Sequence, residues 1–158
     1  MEDVTRFLDE AGVDFDVLEH EHTERAAEEA EALDVALEEV AKTLVLASPG
    51  GNVRAVLAAS DRIDLHKVAA ALEVGGKKVH LATEDDLARD YAGFELGAVP
   101  PFGGPEDRVI VDERLSGRDS VVLEAGSHDT SVRLKAADLV RLTEAQVADI
   151  TREEPEAG

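Results

Sequence analysis

Lys42-Thr43-Leu44-Val45-Leu46-Ala47-Ser48-Pro49-Gly50-Gly51-Asn52-Val53-Arg54-Ala55-Val56-Leu57-Ala58-Ala59 reads as one β-hairpin. Thr43 to Ala47 and Val53 to Ala59 have the β-branched and apolar content of strands, and Pro49-Gly50-Gly51-Asn52 supplies the turn between them. Lys42 stands at the start, where an acidic helical region gives way to the apolar run. Its side chain must either leave for solvent or line the sheet at a strand end, and a strand-end lysine ordinarily snorkels outward.

On the N-terminal side, Val4, Phe7, Leu8 and Ala11 recur at helical spacing up to Gly12, Asp14 to Glu19 alternates like a strand, and Thr23 can cap a helix running to about Leu33. A short helical turn is expected around Val35 to Val40. On the C-terminal side, Asp64 can cap a helix with Leu65, Val68, Ala69 and Leu72 on one face, ended by Gly75-Gly76. Lys77 to Ala82 reads as a strand, and Thr83 with Asp86 as a capping box for a helix to about Tyr91. A long loop from Gly93 to Pro105 precedes strands at Val109–Asp112, Val121–Glu124 and Ser131–Leu134 and a helix from Ala136 to about Leu142; the tail after Thr151 looks frayed. Strands and helices interleave without a strict βαβ rhythm. The expected fold class is therefore α+β, one domain over residues 1–158, with a mixed, mostly antiparallel sheet or a partly closed barrel flanked by helices.

The chain of 158 residues is long enough for one self-sufficient core, and its lack of cysteine excludes disulfides and thiolate chemistry. The acidic start Met1-Glu2-Asp3-Val4 lacks the basic and apolar regions of a signal peptide, which predicts a soluble cytoplasmic protein with no membrane partner. Net charge is −20, with 36 acidic against 16 basic residues, a balance that resembles adaptation to high salt. In molar salt the screening length falls to about 3 Å, so self-repulsion is suppressed. The charge is unevenly spread: −13 over residues 1–40, +3 over 41–83 and −10 over 84–158. Lys42, Arg54, Arg62, Lys67, Lys77 and Lys78, with His66 and His80, form a basic island that either meets a phosphate backbone or simply breaks up like-charge repulsion.

Two glycine-bearing stretches accompany Lys42: Gly97-Ala98-Val99-Pro100-Pro101-Phe102-Gly103 and Gly126-Ser127-His128. Glycine turns expose backbone N–H groups that can hold an oxyanion or phosphate, and a lysine ammonium is a compact cation for the same ligand. Taken alone, the first stretch fits a structural loop as well as a functional one. Adjacent Ser127 and His128 point apart on a strand or turn and have no evident aspartate partner, so lining a pocket suits them better than a nucleophilic triad. His20 and His22 suit a solvated or pocket-rim pair, with too few further ligands for a metal site. Asp112, at the end of Val109–Val111, either accepts a hydrogen bond in the pocket or caps a turn.

In order and spacing, Lys42-Thr43-Leu44, Gly97 to Gly103 and Gly126-Ser127-His128 resemble the YbaK-type aminoacyl-tRNA deacylases, which include the editing domain associated with prolyl-tRNA synthetases. The resemblance spans roughly residues 3 to 145. It implies that fold, hydrolysis of mischarged aminoacyl-tRNA in trans, and no cofactor. It implies a catalytic group of Lys42, Gly97, Pro101 and Gly103: the lysine would hold the terminal adenosine's phosphate or orient the ester, and the loop amides would face the ester carbonyl. Substrate-binding roles are implied for His20, Thr43, Phe102, Asp112, Gly126 and Ser127. The implied partners are aminoacyl-tRNA, a small amino acid on a proline-type tRNA in particular, and an aminoacyl-tRNA synthetase. In departures from the family pattern, Pro100 replaces a small polar residue and Ala92-Gly93 replaces Thr-Gly. A binding module that kept the fold without catalysis is the alternative. A phosphate-binding metabolic enzyme would want a nucleotide signature such as G-x-x-x-x-G-K, which is absent from the sequence.

Overall fold

A computed structural model describes residues 2–21, 26–94, 98–102 and 107–152. In chain order these form α1 (Glu2–Glu10), β1 (Phe15–Glu19), α2 (Ala26–Leu33), a 3-10 turn (Leu37–Glu39), β2 (Ala41–Ser48), β3 (Gly51–Ala58), α3 (Leu65–Leu72), β4 (His80–Leu81), α4 (Glu84–Asp90), β5 (Arg108–Asp112), α5 (Glu113–Ser116), β6 (Ser120–Ser127), β7 (Thr130–Lys135), α6 (Ala136–Thr143) and β8 (Gln146–Ala148). Thr23, expected as a helix cap, lies outside the described residues.

The strands make two sheets, a three-stranded one in the order β1-β7-β6 and a five-stranded one in the order β4-β2-β3-β5-β8. The first is antiparallel throughout; in the second β4, β2 and β3 pair antiparallel and β3, β5 and β8 parallel. A parallel bridge between Val40 and Val122 brings the start of β2 alongside β6. The sheets do not close on each other, so of the two architectures expected the mixed, antiparallel-rich one holds and the partly closed barrel does not.

Three apolar clusters hold the layers together. The largest gathers Val4 and Leu8 of α1, Val56 of β3, Val111 of β5, Leu123 of β6, Val132 of β7 and Leu139 of α6. Val4 and Leu8 sit one helical turn apart, which is why a nine-residue amphipathic helix docks on one face. A second cluster packs Val68 and Ala69 of α3 on Leu46, Val53, Ala55 and Ile110, and a third joins Val45 to Tyr91 and Val99.

Several boundaries move. Ser48 already pairs with Gly51, so the hairpin turn is Pro49-Gly50 alone, and Gly51 takes φ +120, a conformation suited to glycine. α3 does start on Asp64, whose side chain accepts from the His66 and Lys67 N–H groups, but it ends at Glu73 in the left-handed region, before the glycines. The Val74 N–H then closes back to the Ala69 carbonyl at 3.0 Å, satisfying the helix end without glycine. The expected strand from Lys77 shrinks to His80–Leu81, because the Lys78 N–H closes a turn onto the Gly75 carbonyl at 3.0 Å. β6 runs on through Gly126 and Ser127 past a register shift, leaving His128-Asp129 as the turn. Thr151 bridges Ile63, and the Arg152 N–H donates to the Arg62 carbonyl at 2.8 Å, so pairing continues past the point read as frayed.

Candidate editing site

Lys42 is the second residue of β2, not its lead-in, and it is half-buried. Side chains alternate across a strand, so Lys42 shares a face with Leu44 and Leu46, on the α3 side, and Thr43 shares one with Val45. Its Nζ donates to the Asp61 carbonyl at 2.6 Å. Burial holds the ammonium's pKa below the usual lysine range; the Asp61 carboxylate opposes this and Arg62 adds to it. An ammonium has three donors, and the Asp61 carbonyl takes one.

The described part of the glycine-proline loop, residues 98–102, is buried from Ala98 through Phe102. Its anchor is Arg54, a residue of β3 that is only 1% exposed. Nη1 of Arg54 donates to the Pro100 carbonyl at 2.8 Å, Nε donates to Asp107 at 3.0 Å, and the guanidinium lies 5.0 Å from the Tyr91 ring centroid. The Tyr91 hydroxyl donates to the same Asp107 carboxylate. Burial first, and that hydrogen bond second, push the phenol up to about 12. Phe102 stacks on Phe7 of α1, ring centroids 5.3 Å apart, and belongs to the main core. The structure thus places the Phe102 ring, expected to bind substrate, in the core packing. Pro100 and Pro101 have no N–H, so an oxyanion could draw on the amides of the remaining loop residues only; Gly97 and Gly103, expected among them, lie outside the described residues.

At the β6–β7 end of the small sheet, His20 and Ser127 come together. The His20 N–H donates to the Asp129 carbonyl at 3.0 Å, and the Ser127 hydroxyl donates to the Asp129 carboxylate at 2.7 Å. The His20 Nε2 lies 2.8 Å from the Ser131 hydroxyl, which in turn donates to Glu29 of α2. Glu29 is 1% exposed, and burial raises its pKa above the usual carboxylate value; the Ser131 hydrogen bond and the nearby His20 and His128 only partly oppose that. His128 is buried too, its Nδ1 2.9 Å from Glu124. Two residues beyond the Val40–Val122 bridge stand Lys42 on one strand and Glu124 on the other.

Of the two readings of Asp112, a hydrogen bond in the pocket or a turn cap, the structure shows the cap. Asp112 is fully buried and both carboxylate oxygens serve the backbone: Oδ2 accepts from the Arg114 N–H at 3.2 Å, capping α5, and Oδ1 accepts from the Ile150 N–H at 3.0 Å. Arg54, read as part of a basic island, is inside the protein, and Lys67 is tied to Asp149 at 2.9 Å. His22 lies outside the described residues. Sequence reasoning passed over Glu29, Ser131 and the Arg54–Asp107–Tyr91 group. A charge in the middle of Val53-Arg54-Ala55-Val56-Leu57 was the available signal for the last, since an arginine inside an apolar strand must find partners. Among the described residues, no three His, Asp or Glu side chains are grouped to hold a metal ion.

With the lysine, the anchored loop and the two sheets in place, comparison with known proteins assigns the class. The aminoacyl-tRNA editing domain model matches residues 20–142, and the chain belongs to that family. The multifunctional Ser/Thr-tRNA deacylase ProXp-y of Escherichia coli (strain K12) is 32% identical over 151 residues, covering 92% of this chain and 89% of the relative. The prolyl-tRNA editing protein ProX of Acetoanaerobium sticklandii is 29% identical over 146 residues, 87% of each chain. A crystal structure proposed to be a trans-editing enzyme for prolyl tRNA synthetase matches with a TM-score of 0.86 at 27% identity, over 96% of each chain. Hydrolytic editing of aminoacyl-tRNA is the reaction class in which the chain stands. Among the described residues no helix is long and apolar enough to cross a membrane.

Proposed function

We propose that this protein hydrolyses, in trans, the ester that joins a small, wrongly attached amino acid to a proline-type tRNA, with Lys42 as the residue that fixes the substrate. The observation that carries the reading is the half-buried ammonium of Lys42, oriented by the Asp61 carbonyl at 2.6 Å and left with further donors. Those donors suit the phosphate of the terminal adenosine or the aminoacyl ester. A water oxygen attacks the ester carbonyl, charge collects on the carbonyl oxygen, and loop amides about Pro101 receive it. Collapse of that intermediate breaks the bond to the ribose oxygen, which leaves with a proton, giving the free amino acid and an uncharged tRNA. The vicinal ribose hydroxyl supplies the proton transfer. His20 and the Gly126-Ser127 strand end line the approach, and Thr43, whose side chain points to the other face of β2, flanks Lys42 through its backbone.

Selectivity rests on pocket size. One methylene is worth about 1–3 kcal/mol in an apolar pocket, too little for a synthetase to reject every near-cognate amino acid at its first site. The test is a deacylation time course with Ala-, Cys-, Ser-, Thr- and Pro-charged tRNA, for the wild type and Lys42→Ala. Release faster than the spontaneous rate for one small amino acid, lost in the variant, is the expected result. Spontaneous rates throughout, from folded protein, would replace the enzyme by a non-catalytic tRNA-binding module.

A further inference from the structure

Lys77-Lys78 is the one place in the 158-residue sequence where two cations are adjacent. Both side chains are exposed, as is His80 two residues on. With Ala47, Ser48 and Pro49 of the β2–β3 hairpin they line a cavity of about 360 Å³. Of the other cations of the basic island, Lys42 donates to the Asp61 carbonyl, Arg54 pairs with Asp107 and Lys67 pairs with Asp149. Lys77, Lys78 and His80 have no ion-pair partner among the described residues.

The segment is held in place. A Cβ on Gly76 would lie 2.8 Å from the Nδ1 of the His66 side chain, so the backbone here runs close beside that ring. The Lys78 N–H bonds to the Gly75 carbonyl, Val79 is buried under α3, and His80 pairs with Ala47. The two ammonium groups are thus presented without an ion-pair partner among the described residues. On a protein of net charge −20 this local excess of positive charge attracts a polyanion.

We propose that the Lys77-Lys78-His80 corner is where the protein grips the phosphate backbone of its tRNA, remote from the ester. This inference rests on the deacylase reading for the identity of the RNA. His80 pairs with Ala47, five residues along β2 from Lys42, which is about 17 Å at the rise of an antiparallel strand. Stacked nucleotides advance about 3.4 Å each along one strand, so the same span holds about five of them. With the terminal adenosine at Lys42, the corner meets phosphates where the unpaired 3′ end joins the acceptor stem.

The experiment pairs Lys77→Ala/Lys78→Ala with a charge-matched control, Arg118→Ala/Lys135→Ala, whose side chains are also exposed. Binding of fluorescent, uncharged proline-type tRNA is followed over a series of salt concentrations, and deacylation is followed on a short aminoacylated CCA fragment. The Lys77/Lys78 variant is expected to bind tRNA about tenfold more weakly at low salt, with the slope of log K against log salt shallower by about 1.4–1.8, and to deacylate the short fragment at the wild-type rate. The control is expected to keep most of the affinity and slope. A wild-type slope in the Lys77/Lys78 variant, an equal loss in the control, or no tRNA binding by the wild type overturns the proposal. A wild type that hydrolyses charged tRNA while the variant binds normally refutes the corner alone. A lysine-dependent slope without hydrolysis of any ester refutes the deacylase and keeps the corner.

Discussion

Arg54 of the central strand β3 donates to the Pro100 carbonyl of the glycine-proline loop at 2.8 Å, inside the protein and out of reach of water. A buried guanidinium is costly unless several groups compensate it. Here Asp107, the Pro100 carbonyl and the Tyr91 ring do so together. The loop that shapes the proposed ester pocket is therefore held by a charge network.

Replacing Arg54 by Met is expected to destabilise the protein by about 3–5 kcal/mol, since the nearly buried Asp107 carboxylate would lose its charge partner and keep the Tyr91 hydroxyl. Adding Asp107→Asn should recover a good part of that loss. Urea unfolding of the two variants checks it. A loss below about 1 kcal/mol for the single variant, or no recovery in the double one, would show that the network does not carry the loop.

Asp112 gives a sharp contrast between a binding and a structural role. Asp112→Ala strands the buried Ile150 N–H, at a cost of about 1–3 kcal/mol, and removes the α5 cap for about 1 more. The KM for charged tRNA should stay at the wild-type value. A raised KM in a variant of unchanged stability would return Asp112 to the pocket.

The same residue shows what the sequence could and could not reveal. Caps are local: Asp64 reaches His66 and Lys67, and Thr83 exchanges bonds with Asp86, so α3 and α4 were legible from neighbouring letters. α5 and β8 were not. A four-residue helix depends on the Asp112 cap and on burying Leu115, and β8 exists only because β5, distant in sequence, offers a parallel edge. In the site, Lys42 stood out at the change from acidic helix to apolar strand. Glu29 did not, because in an alanine- and glutamate-rich helix nothing marks the carboxylate that turns inward to meet Ser131, 102 positions away. Ser131 was read as strand, with no hint of that partner.

Lys42 separates stability from activity. Burial lowers its pKa, so between the folded value and the unfolded one of about 10.5 the unfolded chain binds more protons, and wild-type stability rises with pH. Lys42→Met removes a desolvated charge and fills similar volume. Relative to wild type it should be most stable at neutral pH, losing that advantage as pH climbs toward 10.5, while deacylation falls by at least about 100-fold. Retained turnover, or a stability difference that does not change with pH, would contradict the role given to this ammonium.

For Glu29 the linkage runs the other way. Its folded pKa is raised above the ordinary carboxylate value of 4.5, so above that pH the native state holds more proton than the unfolded chain, and stability falls as pH rises. Glu29→Gln keeps an acceptor for the Ser131 hydroxyl and removes the charge. The variant should therefore gain on the wild type as pH increases from 5 to 8, with the two closest at the acid end. Parallel stability curves for the two proteins across that range would mean that Glu29 is as fully ionised in the native state as in the unfolded chain, so that burial does not hold its proton.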